Sequence, residues 1–209
     1  MLKGKTGITA ALACLAMLTA SGCTQPSDGN PSPATGTTAP GTSISSTVGN
    51  GANKMPTIPK LLDVSRFAAD PCLSIAAQQA SDLTINPQGT SSPTGNDKMC
   101  TWKYGPNLDY SVSVSYLVPD SKNGLQNLYD LNPTGWFKDG YFEATTIDGY
   151  PAAYASIRDD RRTGRCQLAL GVDATHIIDL QLIGSAGKDP CSSVAKVANA
   201  VVETVKGAQ

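Results

Sequence analysis

Few residues in this sequence are of types that do covalent or acid–base chemistry, and their spacing narrows what they can do. Six are cysteines. Cys14 lies in an apolar N-terminal run. Cys23 follows Ala20-Ser21-Gly22, the small residues that precede a lipid-modified cysteine. The other four, Cys72, Cys100, Cys166 and Cys191, are an even count, which in an exported chain reads as two disulfides. No Cys-x-x-Cys and no Cys/His cluster is present, so the spacing offers no zinc site. Neither a metal nor a cofactor is expected.

His176 is the only histidine. It falls in phase with Ile178, Leu180 and Leu182, as a residue near the start of a strand does. A Ser-His-Asp triad needs an activated serine beside that ring, and the chain has no Gly-x-Ser-x-Gly elbow. Phosphate-binding, dinucleotide-binding and His-Glu-x-x-His motifs are also missing. Glu143 and Glu203 are the only glutamates. Most aspartates (Asp70, Asp148, Asp159, Asp173, Asp189) stand where caps and turns use them. The expectation is a non-enzymatic protein with no catalytic residues.

Binding residues are a separate matter. Trp136 and Phe137 sit together after Asn132-Pro133-Thr134-Gly135 and read as an aromatic lip in a loop, with Tyr116 on a nearby strand as a third candidate. Arg158, Arg161, Arg162 and Arg165 cluster with Asp159 and Asp160. That cluster reads either as a contact for an anion or lipid headgroup or as a solvated charged turn.

These side chains are positioned by a chain with distinct parts. Lys3 and Lys5 precede an apolar run from Ile8 to Leu18, so residues 1–22 read as a lipoprotein signal peptide. The run is far shorter than the roughly 20 residues a spanning helix needs. Cys23 is the expected lipid-attachment site, and residues 23–57 form a Ser/Thr/Pro tether with a span of roughly 30 Å. The expected location is the outer face of the cytoplasmic membrane, held there by the lipid. The whole chain has 16 basic and 17 acidic residues. Losing Lys3 and Lys5 leaves the mature chain mildly acidic, which argues against a nucleic-acid partner.

Residues 58–209 form the folded domain. Asp70-Pro71-Cys72 opens a helix expected to run to about Asp82, and Asp189-Pro190-Cys191 opens the last one, with Asp as N-cap and Pro in the first turn. Thr84–Asp97 reads as a polar loop. Met99–Tyr104 reads as a strand, and Tyr110, Val112, Val114, Tyr116 and Val118 alternate with Ser111, Ser113 and Ser115 in the clearest strand pattern of the chain. The serine face is expected to be solvent-exposed or lightly covered. Ser121–Leu131 reads as a short helix. Four strands follow at Tyr141–Ile147, Ala152–Arg158, Arg165–Val172 and Thr175–Ile183, joined by hairpin connections. The fold class is α+β, an antiparallel sheet of about six strands covered by helices. Four cysteines allow three pairings. Cys72–Cys100 with Cys166–Cys191 is chosen because each helix-opening cysteine then reaches a neighbouring strand.

Leu62-Asp63, Asp70-Pro71-Cys72, Cys100-Thr101-Trp102, Asp148-Gly149-Tyr150-Pro151-Ala152 and Asp189-Pro190-Cys191 occur in this order. In this the chain resembles the actinobacterial, mycobacterial-type Lpr lipoproteins, a domain-of-unknown-function family, over residues 60–205. The resemblance implies a cell-envelope location and an antiparallel sheet with flanking helices, and it implies no reaction. The order of elements is also similar to the PsbP-type α/β/α fold. The function expected is non-catalytic binding of an envelope lipid, glycan or protein. A structural surface lipoprotein is one alternative, and an envelope hydrolase is the other.

Overall fold

The aspartates that open the two Asp-Pro-Cys triplets both cap helical turns. Asp70 Oδ1 accepts from the Cys72 amide at 3.1 Å, and Asp189 Oδ1 accepts from Cys191 and Ser192 at 3.0 and 3.1 Å. In each case the side chain satisfies amides that a helix start leaves without a partner. The computed structural model describes residues 53–209. The expected signal peptide, Cys23 and all of the tether before Asn53 lie outside them.

The helical elements are α1 (Ser65–Ala69), α2 (Ala77–Asp82), α3 (Gln126–Leu131) and α4 (Pro190–Gly207), with a 3-10 turn at Pro71–Ser74. The strands are β1 (Thr90–Thr94), β2 (Asp97–Tyr104), β3 (Tyr110–Leu117), β4 (Tyr141–Ile147), β5 (Tyr150–Ser156), β6 (Arg165–Leu170) and β7 (Ile177–Ile183). They form one sheet in the order β1-β2-β3-β7-β6-β5-β4, with every neighbouring pair antiparallel. The fold is α+β, as the sequence predicts, with seven strands rather than six.

Three expectations need correction. The first helix does not run from Asp70 to Asp82: Ile75 and Ala76 are extended and separate the 3-10 turn from α2. The break lets Ile75 enter the core at 4% exposure and lets Ser74 Oγ meet the buried Tyr116 hydroxyl at 2.8 Å. The polar loop Thr84–Asp97 contains β1, an edge strand whose Pro93 is tolerated because an edge needs only one ladder. Helix α3 starts at Gln126, not Ser121, because Lys122 and Gly124 have positive φ and form a turn.

One sheet face carries the main core. Trp102, Val112, Val114, Tyr116, Leu168, Leu170, Ile178 and Leu180 are buried there beneath Phe67, Ile75 and the valine face of α4 (Val194, Val197, Val201, Val202 and Val205). Both disulfides tie this layer to the sheet. Cys72–Cys100 joins the 3-10 turn to β2, and Cys166–Cys191 joins β6 to the first turn of α4, with Cα–Cα separations of 5.0 and 5.2 Å. This is the pairing chosen from the sequence. Asp148 and Gly149, at φ 47° and 81°, make the tight β4–β5 turn.

The opposite face is covered at one end by α3, where Leu125, Tyr129, Ala169 and Ile177 form a smaller cluster joined by Met55 and Phe142. Gln126 Nε2 donates to the Asn53 carbonyl at 2.8 Å, and the Met55 amide donates back to Gln126 Oε1 at 2.9 Å. The last residues assigned to the tether by composition are therefore docked on α3.

Candidate functional site

The loop that carries Trp136 and Phe137 is fixed at both ends. Asn132-Pro133-Thr134 continues α3 as a 3-10 turn, and Gly135 closes it in the left-handed conformation. At the other end Gly140 lies so close to the end of β5 that a Cβ there would collide with the Ser156 carbonyl oxygen. Only glycine permits that approach. Between these points Phe137 is buried against Phe142, with ring centroids 5.5 Å apart, while Trp136 remains 57% exposed.

Trp136 stands at the lip of a groove of about 310 Å³ on the α3 face of the sheet. Leu117, Leu128, Phe137, Ile157 and Ile177 form its apolar walls, and Gln167 and Asp179 lie in its floor. Ile157, like Trp136, is exposed. The volume is at the lower end of the small-molecule range of roughly 300–1,000 Å³. A larger depression of about 480 Å³ between α2 and the end of α4 is lined by Arg66, Leu73, Gln79 and Glu203 among others. It is shallower and has no buried polar group of comparable kind.

Asp179 is the unusual member of the site. It is 6% exposed, and its carboxylate accepts from Gln167 Nε2 at 2.8 Å and Gln181 Nε2 at 3.0 Å. Among the described residues no cation pairs with it. Desolvation raises its pKa, and the two amide donors only partly oppose that. Between the unfolded carboxylate range and the raised value, the folded state holds a proton that the unfolded chain has lost. Stability therefore falls as pH rises through that window. Asp179→Asn is expected to be more stable than the parent at pH 7. The gain should shrink towards zero below the unfolded carboxylate pKa, where both forms are neutral. Urea unfolding at pH 7 and pH 3 checks this, and a variant less stable at pH 7 contradicts it.

The expected binding residues are not all brought together. Trp136 and Phe137 share the groove. Tyr116 does not: it lies on the opposite sheet face, 2% exposed, stacked near Phe67 and hydrogen-bonded to Ser74. The alternation of β3 sends Tyr116 inward with Val112 and Val114, so it is a core residue. Ser111 and Ser115, expected to be exposed or lightly covered, are buried, and Ser113 bonds Thr101 at 2.8 Å. None of the three serines lines the groove. Leu128, Ile157, Gln167 and Asp179 escaped the sequence reading. Asp179 left a signal: a carboxylate in the middle of the apolar run Ile177–Ile183.

His176 precedes β7 and belongs to a turn. Asp173 accepts from the Thr175 and His176 amides at 2.7 and 2.6 Å, and its second oxygen lies 2.7 Å from His176 Nδ1. The carboxylate thus caps a turn and fixes the ring. In the arginine cluster Arg161 is fully engaged, by Asp159 at 2.6 Å, Glu143 at 2.7 Å and the Tyr141 ring at 4.2 Å. Its hydrogen bonds hold the Asp159 carboxyl down at about 2. Arg158 pairs loosely with Asp160 at 3.5 Å. Arg158 and Arg165 line a cleft of about 120 Å³ that shares Ser156 and Gln167 with the groove. Among the described residues no three His, Cys, Asp or Glu side chains converge as a metal site. No described helix is long and apolar enough to cross a membrane.

An antiparallel sheet stapled to its helices on one face, and open as an aromatic-lipped groove on the other, defines a disulfide-bonded α+β domain. The chain belongs to the DUF3558 family of proteins of unknown function, whose family model matches residues 18–204. No curated protein matches it, and no solved structure does.

Proposed function

We propose that this is an actinobacterial Lpr-type lipoprotein, anchored through Cys23 to the outer face of the cytoplasmic membrane. In this reading it is a non-catalytic domain that binds an amphipathic envelope component in the groove beneath Trp136. The observation that carries the proposal is the groove itself: a large exposed aromatic and exposed Ile157 beside apolar walls, over a floor with a few polar groups. Ligand sites commonly combine these features. Two disulfides suit an oxidising compartment, and the small residues before Cys23 suit lipid attachment, which holds a protein stably when two or more acyl chains are present.

Two measurements test the reading. Cys23→Ala should move the protein from the detergent phase to the aqueous phase or leave an unprocessed precursor, and unchanged partitioning refutes the anchor. Envelope lipid extract should shift the Trp136 emission of the purified protein, and the shift should vanish in Trp136→Phe. A flat titration refutes the groove as the binding site.

A further inference from the structure

The groove holds one carboxylate, and it is buried. Asp179 contributes a carboxylate, which only accepts hydrogen bonds when ionised. Gln167 turns one Nε2 hydrogen to Asp179, which leaves its carbonyl Oε1 and its second N–H for a ligand. Each Asp179 oxygen takes one amide donor, whereas a carboxylate has about four acceptor positions. Neither a guanidinium nor an ammonium of the described residues pairs with it. The floor therefore holds a carboxylate with unused acceptor positions, beside the Gln167 amide and the Ser156 hydroxyl. Above it, the exposed Trp136 ring presents a face that attracts cations.

We propose that the groove recognises an amphiphile whose polar end is a primary ammonium, and that Asp179 is the residue that selects it. This deepens the binding function proposed above and rests on it. The ammonium supplies three donors and neutralises a buried carboxylate that no described residue pairs with. The hydrocarbon part lies along Leu117, Leu128 and Ile157. Burial adds to the case, because a carboxylate held out of water with only two neutral donors is costly, and a bound cation removes that cost. The competing pull comes from Arg158 and Arg165 in the adjoining cleft, which favour an anionic head instead.

The test uses the full mature protein and three twelve-carbon probes below their micellar concentrations: dodecylammonium, dodecyl maltoside and dodecyl sulfate. Binding is read from Trp136 emission and by calorimetry. Dodecylammonium is expected to bind most tightly. Asp179→Asn should weaken it by about tenfold or more, the scale of a charge-assisted hydrogen bond, and weaken dodecyl maltoside far less. Retained thermal stability of that variant excludes unfolding as the cause. If dodecyl sulfate binds most tightly, or if Asp179→Asn leaves dodecylammonium unaffected, the selection of an ammonium is overturned while the groove stands. If none of the three binds, the groove reading itself fails.

Discussion

Replacing Cys72 and Cys100 together by alanine is expected to lower the thermal midpoint by about 10 °C, and replacing all four disulfide cysteines should leave no cooperative unfolding transition at 37 °C. The bridges span separations of 28 and 25 residues. In the chain-entropy account each closure contributes about 3–4 kcal/mol. Domains are stable by only about 5–15 kcal/mol in total, so losing both removes most or all of the margin. Cys100 is also completely buried, and its truncation leaves a void under the β2–β3 pair. Circular dichroism melts of the double and the quadruple variant give the answer. A quadruple variant that still melts sharply near the parent midpoint contradicts it.

Trp102→Ala should cost about 3–5 kcal/mol, the range for emptying a large aromatic site in a core. Trp102 is 1% exposed and sits two residues after Cys100, on the same face of β2. The backbone at Gly89 presses against its ring so closely that a Cβ there would overlap the indole. Opposite it across the ladder is Val112, itself fully buried. These neighbours belong to different elements and are held by the sheet and a disulfide, so the site has little freedom to collapse into the space. Trp102→Phe should recover roughly half of the loss. Urea denaturation of the two variants measures both. A loss under 1 kcal/mol for the alanine variant would mean that the ring is not part of the core.

The elements legible in the sequence were those with strong periodicity or strong punctuation. The Val112, Val114, Tyr116 alternation marked β3, the Asp148-Gly149 turn marked the β4–β5 hairpin, and the two Asp-Pro-Cys triplets marked helical starts. β1 leaves no hydrophobic pattern, because Thr90-Ser91-Ser92-Pro93-Thr94 has no buried side to show as alternation. It is held by main-chain pairing with β2, to which hydrophobic patterning is blind. The helix break at Ile75 leaves no local signal, because propensity alone continues the helix to Asp82. With the break, Ile75 enters the core and Ser74 bonds Tyr116, contacts distant in sequence that propensity does not carry. The site was legible only at its rim. Trp136 and Phe137 announce themselves as aromatics in a loop, whereas Gln167 and Asp179 become neighbours only when β6 pairs with β7. Tyr116 misleads for the opposite reason: the face it occupies is decided by its strand, not by its chemistry.

The strand order has a kinetic consequence. β1, β2 and β3 follow one another in both sequence and space, and so do β4 to β7; the two groups meet only where β3 pairs with β7. Cys72–Cys100 closes within the first group and Cys166–Cys191 within the second together with α4. Each half can therefore zip up and oxidise from short-range encounters, which are fast because little loop entropy must be lost first. The β3–β7 seam, which joins residues far apart in the chain, is left as the late step. During oxidative refolding, acid-trapped species should carry one native bridge before any species links Cys72 or Cys100 to Cys166 or Cys191. Early accumulation of such a cross-half bridge would show that the two halves do not form independently.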